Sequence, residues 1–228
     1  LDLKPNPLYE KEDIAYFKTH YYGGIRKYQW GTIPLAIHGV VAKKDGTVVN
    51  VVIGEDPSDP VLGISDLLIH LSGDQMAKTL SKAIEGEKLN LTVGSRPVMN
   101  AADDCKEPVK ELILSMLKEK YDIEEEDFLS AEIEVVPAGE ARDYGFDRSM
   151  IMGYGHDDRV CAYPSFEAML AKNETPEYTS VCLLVDKEEI GSVGATGMQS
   201  RFFENMTDKR GTMNGKAKWL DKNTISKK

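Results

Sequence analysis

Two pairs of neighbouring carboxylates are the residues best suited to chemistry: Asp157-Asp158, which Arg159 follows, and Glu188-Glu189. Adjacent carboxylates suit a metal site, because one can bind a divalent ion while its neighbour stays outside the coordination sphere as a base. The ion lowers the pKa of its bound water toward neutrality, and two ions about 3.5–4 Å apart can hold both the attacking and the leaving oxygen. The pattern therefore favours metal-assisted hydrolysis.

The same residues also have simpler interpretations. In an acidic protein a Glu-Glu pair is most often part of a solvated loop, and Asp157-Asp158-Arg159 is typical of a helix cap with an ion pair. His70 is typical of a structural histidine. The sequence has no HExxH, CxxC or Walker motif, and the spacing of Gly191, Gly194 and Gly197 is a weak match to a dinucleotide loop. From the residues alone, a metal hydrolase and an α/β domain with charged loops both stay open.

The elements around these carboxylates predict how they would be positioned. Ser180–Val185 is a continuous apolar run, which is typical of a strand buried on both faces of an α/β sheet. Glu188 and Glu189 would then follow its carboxyl end, where such sheets place ligands. We expect a helix over Val160–Leu170 after the aspartates. A glycine-rich turn at Gly191–Gly197 and a helix at Gln199–Asn205 complete this part.

The first 140 residues have a different character, so we place a domain boundary near residue 140. Asp45-Gly46 between β-branched runs predicts a hairpin of Ile33–Ala42 with Thr47–Ile53. Apolar residues recur with helical spacing over Pro108–Tyr121. The remaining predictions are helices at 9–18, Ile64–Leu71 (which contains His70) and Asp74–Ile84, strands at Leu91–Val98 and Ala131–Val136, and a solvated turn at Glu124–Asp127.

Composition limits the class of protein. The 228 residues suffice for one or two domains, and 28 Lys and Arg against 38 Asp and Glu give a net charge of −10. This balance argues against a general nucleic-acid binder, because phosphates would be repelled. No apolar run reaches the roughly 20 residues that span a bilayer. Cys105, Cys161 and Cys182 lack paired spacing, so we expect a reducing compartment, the cytoplasm.

Several separate motifs, in the same order, resemble those of the aspartyl aminopeptidase/aminopeptidase I family of two-metal exopeptidases. The likeness extends over residues 1 to about 206 and is closest to the bacterial aminopeptidase I branch. The motifs that carry it are Gly155-His156-Asp157-Asp158-Arg159-Val160-Cys161-Ala162-Tyr163, Val185-Asp186-Lys187-Glu188-Glu189-Ile190-Gly191-Ser192, His20-Tyr21-Tyr22-Gly23-Gly24, Phe128-Leu129-Ser130-Ala131-Glu132-Ile133 and Gly145-Phe146-Asp147-Arg148-Ser149.

This resemblance implies a domain organisation. We expect an α/β, zinc-exopeptidase-like three-layer catalytic domain, present in part and interrupted by an inserted α+β dimerisation domain. Residues 1–7 would begin the catalytic portion, 8–145 would form the dimerisation domain and 146–206 would continue the catalytic portion, with 207–228 an unassigned tail. The family also implies a homo-oligomer that has a dimer as its unit and forms a dodecamer.

The resemblance also implies roles for four residues. Asp157 would bridge two metal ions, usually zinc, and Glu189 would bind one of them. Glu188 would be the general base that activates the water. His70 would reach from the dimerisation domain into a neighbouring subunit's active site and contact substrate. Manganese or cobalt also suit a carboxylate-rich site.

Further ligands of the family lie outside the matching segments. A His-x-Asp segment precedes the stretch that matches Leu1–Pro5, and further ligands follow the position of residue 206, so we expect an incomplete portion. We expect a metalloaminopeptidase that acts on peptides, with no nucleic-acid or membrane partner. The alternative is an assembly module that self-associates without catalysis, and metal content per chain separates the two.

Overall fold

The computed structural model describes residues 1–102, 104–189, 194 and 197–206, and it is a mixed α/β structure. The chain divides into two compact units, Leu1–His156 and a second that begins at Asp157. The predicted tail and most of the predicted turn at Gly191–Gly197 lie outside the described residues.

The first unit is built on a six-stranded antiparallel sheet with strand order β4-β3-β6-β1-β2-β5. Valine and isoleucine dominate β4 (VVNVVI), as is typical of pleated, half-buried strands. The strands are β1 (Asp2–Lys11), β2 (Ile14–His20), β3 (Leu35–Ala42), β4 (Val48–Ile53), β5 (Leu91–Gly94) and β6 (Ala131–Pro137).

Two predicted strand regions are confirmed. β3 and β4 pair as an antiparallel hairpin from Ile37↔Ile53 to Ala42↔Val48, and Gly46 provides the positive φ (86°) of the turn. β6 then pairs along β3 from Leu35↔Pro137 to Val41↔Ala131, which makes it a central strand. β5 occupies only the first half of the predicted strand at Leu91–Val98.

The helix predicted at residues 9–18 is wrong, because this segment forms the β1–β2 hairpin. Glu12 and Asp13 both have positive φ (53° and 61°), which turns the chain back in two residues. Ala15, Phe17 and Thr19 are buried in alternation. The apolar period is therefore two, as in a strand, whereas a helix repeats every 3.6 residues.

The helix predicted at Pro108–Tyr121 is confirmed with the same bounds, and it buries Val109 and Leu117 against the sheet. Proline fits the first turn because the first amides of a helix have no intrahelical partner. A carboxylate oxygen of Glu10 in β1 accepts the N–H groups of Val109 (2.8 Å) and Lys110 (3.0 Å). A strand residue thus supplies the helix with its missing N-terminal acceptor.

The predicted helices at Ile64–Leu71 and Asp74–Ile84 are wrong or broken. The first segment is irregular: Ile64 is buried, and its carbonyl accepts the Thr32 N–H (2.8 Å). The second contains only the four-residue helices α1 (Gly73–Met76) and α2 (Leu80–Ala83), and neither buries a residue. Short helices without a buried face gain no packing energy, which explains why a longer helix does not form. The Pro108–Tyr121 helix is accordingly α3.

The segment predicted as a solvated turn at Glu124–Asp127 leads into a 3-10 helix, Glu125–Ser130. The Glu124 and Asp127 side chains form a reciprocal capping box, and Asp127 is buried at 8% exposure. A short hairpin, β7 (Arg142–Tyr144) with β8 (Met150–Met152), then closes the first unit.

The second unit contains α4 (His156–Leu170), which includes the helix predicted at Val160–Leu170 and accommodates Pro164. The buried strand predicted at Ser180–Val185 is wrong for the described structure. The segment is irregular, with Val181 and Leu184 55% and 57% exposed. A strand needs a neighbour for its ladder, and no described strand pairs with this segment. Residues 202–206 form a short helix within the predicted Gln199–Asn205 region.

Among the described residues, no helix combines the length and the apolar character needed to cross a bilayer.

Candidate functional site

The two aspartates lie where the second unit begins. Asp157 has an extended conformation (φ −88°, ψ 114°) at the first turn of α4, and the peptide bond that joins it to Asp158 is cis. Gly155 precedes them with φ 83°. Asp157 therefore leaves the helical path, while the residues from Asp158 onward follow it.

The two glutamates follow the irregular apolar segment of the second unit. Glu188 and Glu189 are both exposed, and Lys187 before them has a left-handed conformation (φ 58°). Asp186, the residue before Lys187, lines a cavity of about 310 Å³ together with Val185 and Phe202. The glutamates thus lie at the end of an apolar segment beside a small cavity of the same unit.

One thiol connects the aspartates with the first glutamate. Cys161 in α4 forms a side-chain hydrogen bond with Asp158, which raises the pKa of the thiol. The negative charges of Asp158, Asp157 and Glu188 raise that pKa further. Asp157, Asp158 and Glu188 therefore lie within electrostatic reach of the same sulfur. This brings together two of the residues predicted from sequence.

Sequence reasoning did not assign Cys161 to this cluster. The signal was available in the spacing, because Cys161 is three residues after Asp158 and residues three apart share a helix face. The raised pKa favours the protonated thiol, which can donate a hydrogen bond to the Asp158 carboxylate.

His70 belongs to the first unit, on an exposed loop. The Leu71 N–H donates to the Leu68 carbonyl (2.9 Å), so His70 is at the tip of a hydrogen-bonded turn. Its neighbours Ile69 and Leu71 are 63% and 67% exposed. An apolar loop with an imidazole at its tip suits contact with another molecule.

The metal-binding capacity of the described residues is limited. Within residues 1–102, 104–189, 194 and 197–206, no group of three or more His, Cys, Asp and Glu side chains could hold an ion. The predicted ligands Asp157 and Glu189 supply oxygen donors of the kind that zinc accepts. Structural and catalytic zinc sites generally take three or four protein ligands, so these two carboxylates alone do not complete one.

Comparison with known proteins gives a consistent result. Residues 1–227 match the model of the peptidase M18 family, described as aminopeptidase I zinc metalloprotease. A probable M18 family aminopeptidase 1 of Clostridium acetobutylicum is 64% identical over 205 residues, which are 90% of this chain and 43% of that protein. The chain therefore spans less than half the length of this curated relative.

Two solved structures are similar in fold. The crystal structure of aminopeptidase I from Clostridium acetobutylicum aligns with a TM-score of 0.83 and 57% identity, covering 95% of this chain and 46% of that one. The M18-family aminopeptidase structure from Thermotoga maritima aligns with a TM-score of 0.84 and 49% identity, covering 96% and 47%. Both matches include the two units described above.

Proposed function

Because the chain belongs to the M18 family of aminopeptidase I zinc metalloproteases, we propose that this protein is a metalloaminopeptidase that removes N-terminal residues from peptides. The observation that carries the proposal is the family match over residues 1–227, together with 64% identity to a probable M18 aminopeptidase. The clustering of Asp157, Asp158 and Glu188 around one thiol is consistent with it.

We propose distinct roles for the three carboxylates. Asp157 and Glu189 would hold the zinc through their carboxylate oxygens. Zinc supplies a water of lowered pKa and polarises the peptide carbonyl. Glu188 stays outside the coordination sphere, takes a proton from the attacking water and delivers it to the leaving amine. Manganese or cobalt can replace zinc at oxygen ligands. The site needs donors in addition to Asp157 and Glu189.

The proposal extends to assembly. Residues 8–145 act as a dimerisation domain, and His70 contacts substrate in the active site of a neighbouring subunit. The exposure of Ile69 and Leu71 beside His70 supports this, because removing apolar side chains from water against a partner is favourable. A dimer is the proposed unit and a dodecamer the proposed assembly. Cys105, Cys161 and Cys182 are free thiols, which fits a cytoplasmic location.

The Glu188→Gln variant tests the chemistry. With the general base removed, we expect kcat on an aminoacyl-p-nitroanilide to fall by about 10²–10⁴-fold while zinc content per chain stays unchanged. Glu177→Gln, at an exposed carboxylate of the same unit, is the matched control and should retain full activity. Full peptidase activity in Glu188→Gln would overturn the assignment of the base.

Metal content tests the ligands and separates the enzyme from a non-catalytic assembly module. Elemental analysis of the purified full-length protein should give two zinc ions per chain, and Asp157→Asn should reduce this number. A wild-type protein that associates into dimers but binds no zinc would support the assembly module instead.

A further inference from the structure

Among the described residues, several unpaired cations line a basic groove on the first unit. It consists of two cavities, about 550 and 500 Å³, that share Lys27 and Ser81 in their linings. Lys78 and Lys82 line the first cavity and Arg26 the second. We use the name basic groove for these two cavities and the five residues named here.

The two acidic residues that also line the first cavity, Glu85 and Glu87, are paired with other cations. Glu85 binds Lys88 at 2.9 Å, and Glu87 binds both Lys4 and His20, the latter at 2.7 Å. The hydrogen bonds from Lys88 and from Lys4 hold the pKa of Glu85 and of Glu87 below the ordinary value. Both carboxylates are therefore ionised but have cationic partners outside the set that forms the groove.

The cations of the groove lack such partners. Among the described residues, Arg26, Lys27, Lys78 and Lys82 make no ion pair, although the chain carries a net charge of −10. Lys78 acts on Glu85 only at longer range. Four cations around one concave surface repel one another, so an anion placed among them gains attraction and relieves that repulsion.

Aromatic and apolar groups complete the groove. The Lys27 ammonium lies 4.7 Å from the centroid of the Tyr21 ring, and the Arg26 guanidinium lies 5.0 Å from that of Tyr28. These cation–π contacts hold both charges at the surface of the groove. Leu80, which is 57% exposed, adds an apolar wall.

The distribution of these groups favours an extended ligand. A compact anion such as phosphate is usually held by donors that converge on one point. Here the cations are divided between two cavities and alternate with aromatic and aliphatic walls. An acidic peptide matches this arrangement, because its carboxylates are spaced along a chain and its other side chains can cover the apolar walls.

We propose that the basic groove is a docking surface for an acidic peptide segment of a partner, separate from the proposed zinc chemistry. Recognition uses the charges of Arg26, Lys27, Lys78 and Lys82, with the aromatic and apolar walls as secondary contacts. Electrostatic recognition of this kind weakens as salt screens the charges.

A blocked peptide tests the proposal with the full chain. Fluorescent acetyl-Phe-Glu-Asp-Glu-Asp-amide has no free N-terminus, so an aminopeptidase cannot degrade it. We expect saturable binding by fluorescence anisotropy that weakens as NaCl rises from about 0.05 to about 0.5 M. The Gln/Asn version of the peptide should not bind. Equal binding of both peptides would overturn the proposal.

Substitutions locate the binding surface. Lys78→Gln with Lys82→Gln should weaken binding about three- to thirtyfold. Lys18→Gln with Lys106→Gln removes the same charge outside the groove and should leave binding unchanged, so equal weakening in both pairs would overturn the proposal. Lys78→Glu with Lys82→Glu should bind a lysine-containing peptide instead. Displacement by inorganic phosphate at constant ionic strength would indicate a small-anion site and contradict the peptide assignment.

Discussion

At the residue scale, Asp122 combines two functions at the end of α3. It has a left-handed conformation (φ 54°), and its N–H donates to carbonyls of the last turn, which ends the helix. Its carboxylate binds Lys118 and Lys43, and the hydrogen bonds from these two lysines hold its pKa at about 2. Asp122 thus caps the backbone of α3 and also links α3 by an ion pair to Lys43, which directly follows β3.

The lowered pKa gives a prediction about acid stability. A carboxylate with a folded pKa below its unfolded value stabilises the protein above the unfolded pKa and loses this effect as pH falls through the folded one. Asp122→Asn retains a residue that tolerates the left-handed conformation but removes the charge. As the pH is lowered from about 5 to about 2, we expect the urea concentration at the unfolding midpoint to decrease less for Asp122→Asn than for wild type. Parallel curves would contradict this.

Gly39 in β3 lies so close to strand β6 that any side chain at this position would clash with the β6 backbone. A Cβ atom there would lie 2.1 Å from the Glu132 carbonyl oxygen and 2.6 Å from the Ile133 Cα in the neighbouring strand β6. Gly39→Ala should lower the free energy of unfolding by about 2–3 kcal/mol, because two central strands must move apart. Gly73→Ala is the control: it meets no atom within 4 Å, and denaturant curves should show little change or a slight gain.

At the scale of elements, the Glu10 carboxylate links β1 to the N-terminus of α3. Glu10→Ala leaves the N–H groups of Val109 and Lys110 without their acceptor and removes a negative charge from the helix N-terminus. We expect a loss of about 1 kcal/mol in the free energy of unfolding, and a smaller one for Glu10→Gln. Glu12→Ala, with a side chain 82% exposed, should be nearly neutral in the same urea titration. A larger loss for Glu12→Ala than for Glu10→Ala would contradict the role of Glu10 as the acceptor at the N-terminus of α3.

The elements also show which parts of the fold could be predicted from the sequence. The β3–β4 hairpin and α3 carry their signals locally, in Asp45-Gly46 and in the spacing that begins at Pro108, and both predictions are confirmed. The turn at Glu12-Asp13 lacks the usual Asn-Gly or Asp-Gly signature, so the β1–β2 hairpin could not be recognised. The helical spacing of Ile64–Leu71 misled because only Ile64 packs into the core, whereas Leu67, Leu68, Ile69 and Leu71 are exposed.

The candidate site shows the same division. The carboxylate pairs could be identified by type and spacing, and the family by several motifs. The proximity of Glu188 to the start of α4 could not be read from periodicity, because it depends on the path of the 26 residues between Cys161 and Glu188. Of these, 180–185 do not form the expected strand. The ligand roles of Asp157 and Glu189 stay predictions.

At the scale of the whole molecule, the proposal that His70 acts in the active site of a neighbouring subunit can be tested by complementation. His70 is in the first unit and Glu188 in the second. Mixed oligomers of His70→Ala and Glu188→Gln chains should therefore contain some complete sites, each with His70 from one chain and Glu188 from the other. Co-expression of the two inactive variants should restore roughly a quarter of wild-type activity for random dimers. Activity that stays at the level of the separate variants would contradict a contribution of His70 in trans.

The strand order of the large sheet has a consequence for biosynthesis. β6 is the last of its six strands in sequence, but it lies between β3 and β1 and joins the two hairpins. The pair Asp2↔Glu134 closes a loop of more than a hundred residues. The edges of β3 and β1 that face β6 stay unpaired until β6 has left the ribosome. Closing so long a loop is also entropically costly. During synthesis the nascent chain exposes two unpaired strand edges until residue 137 emerges, and such edges favour aggregation.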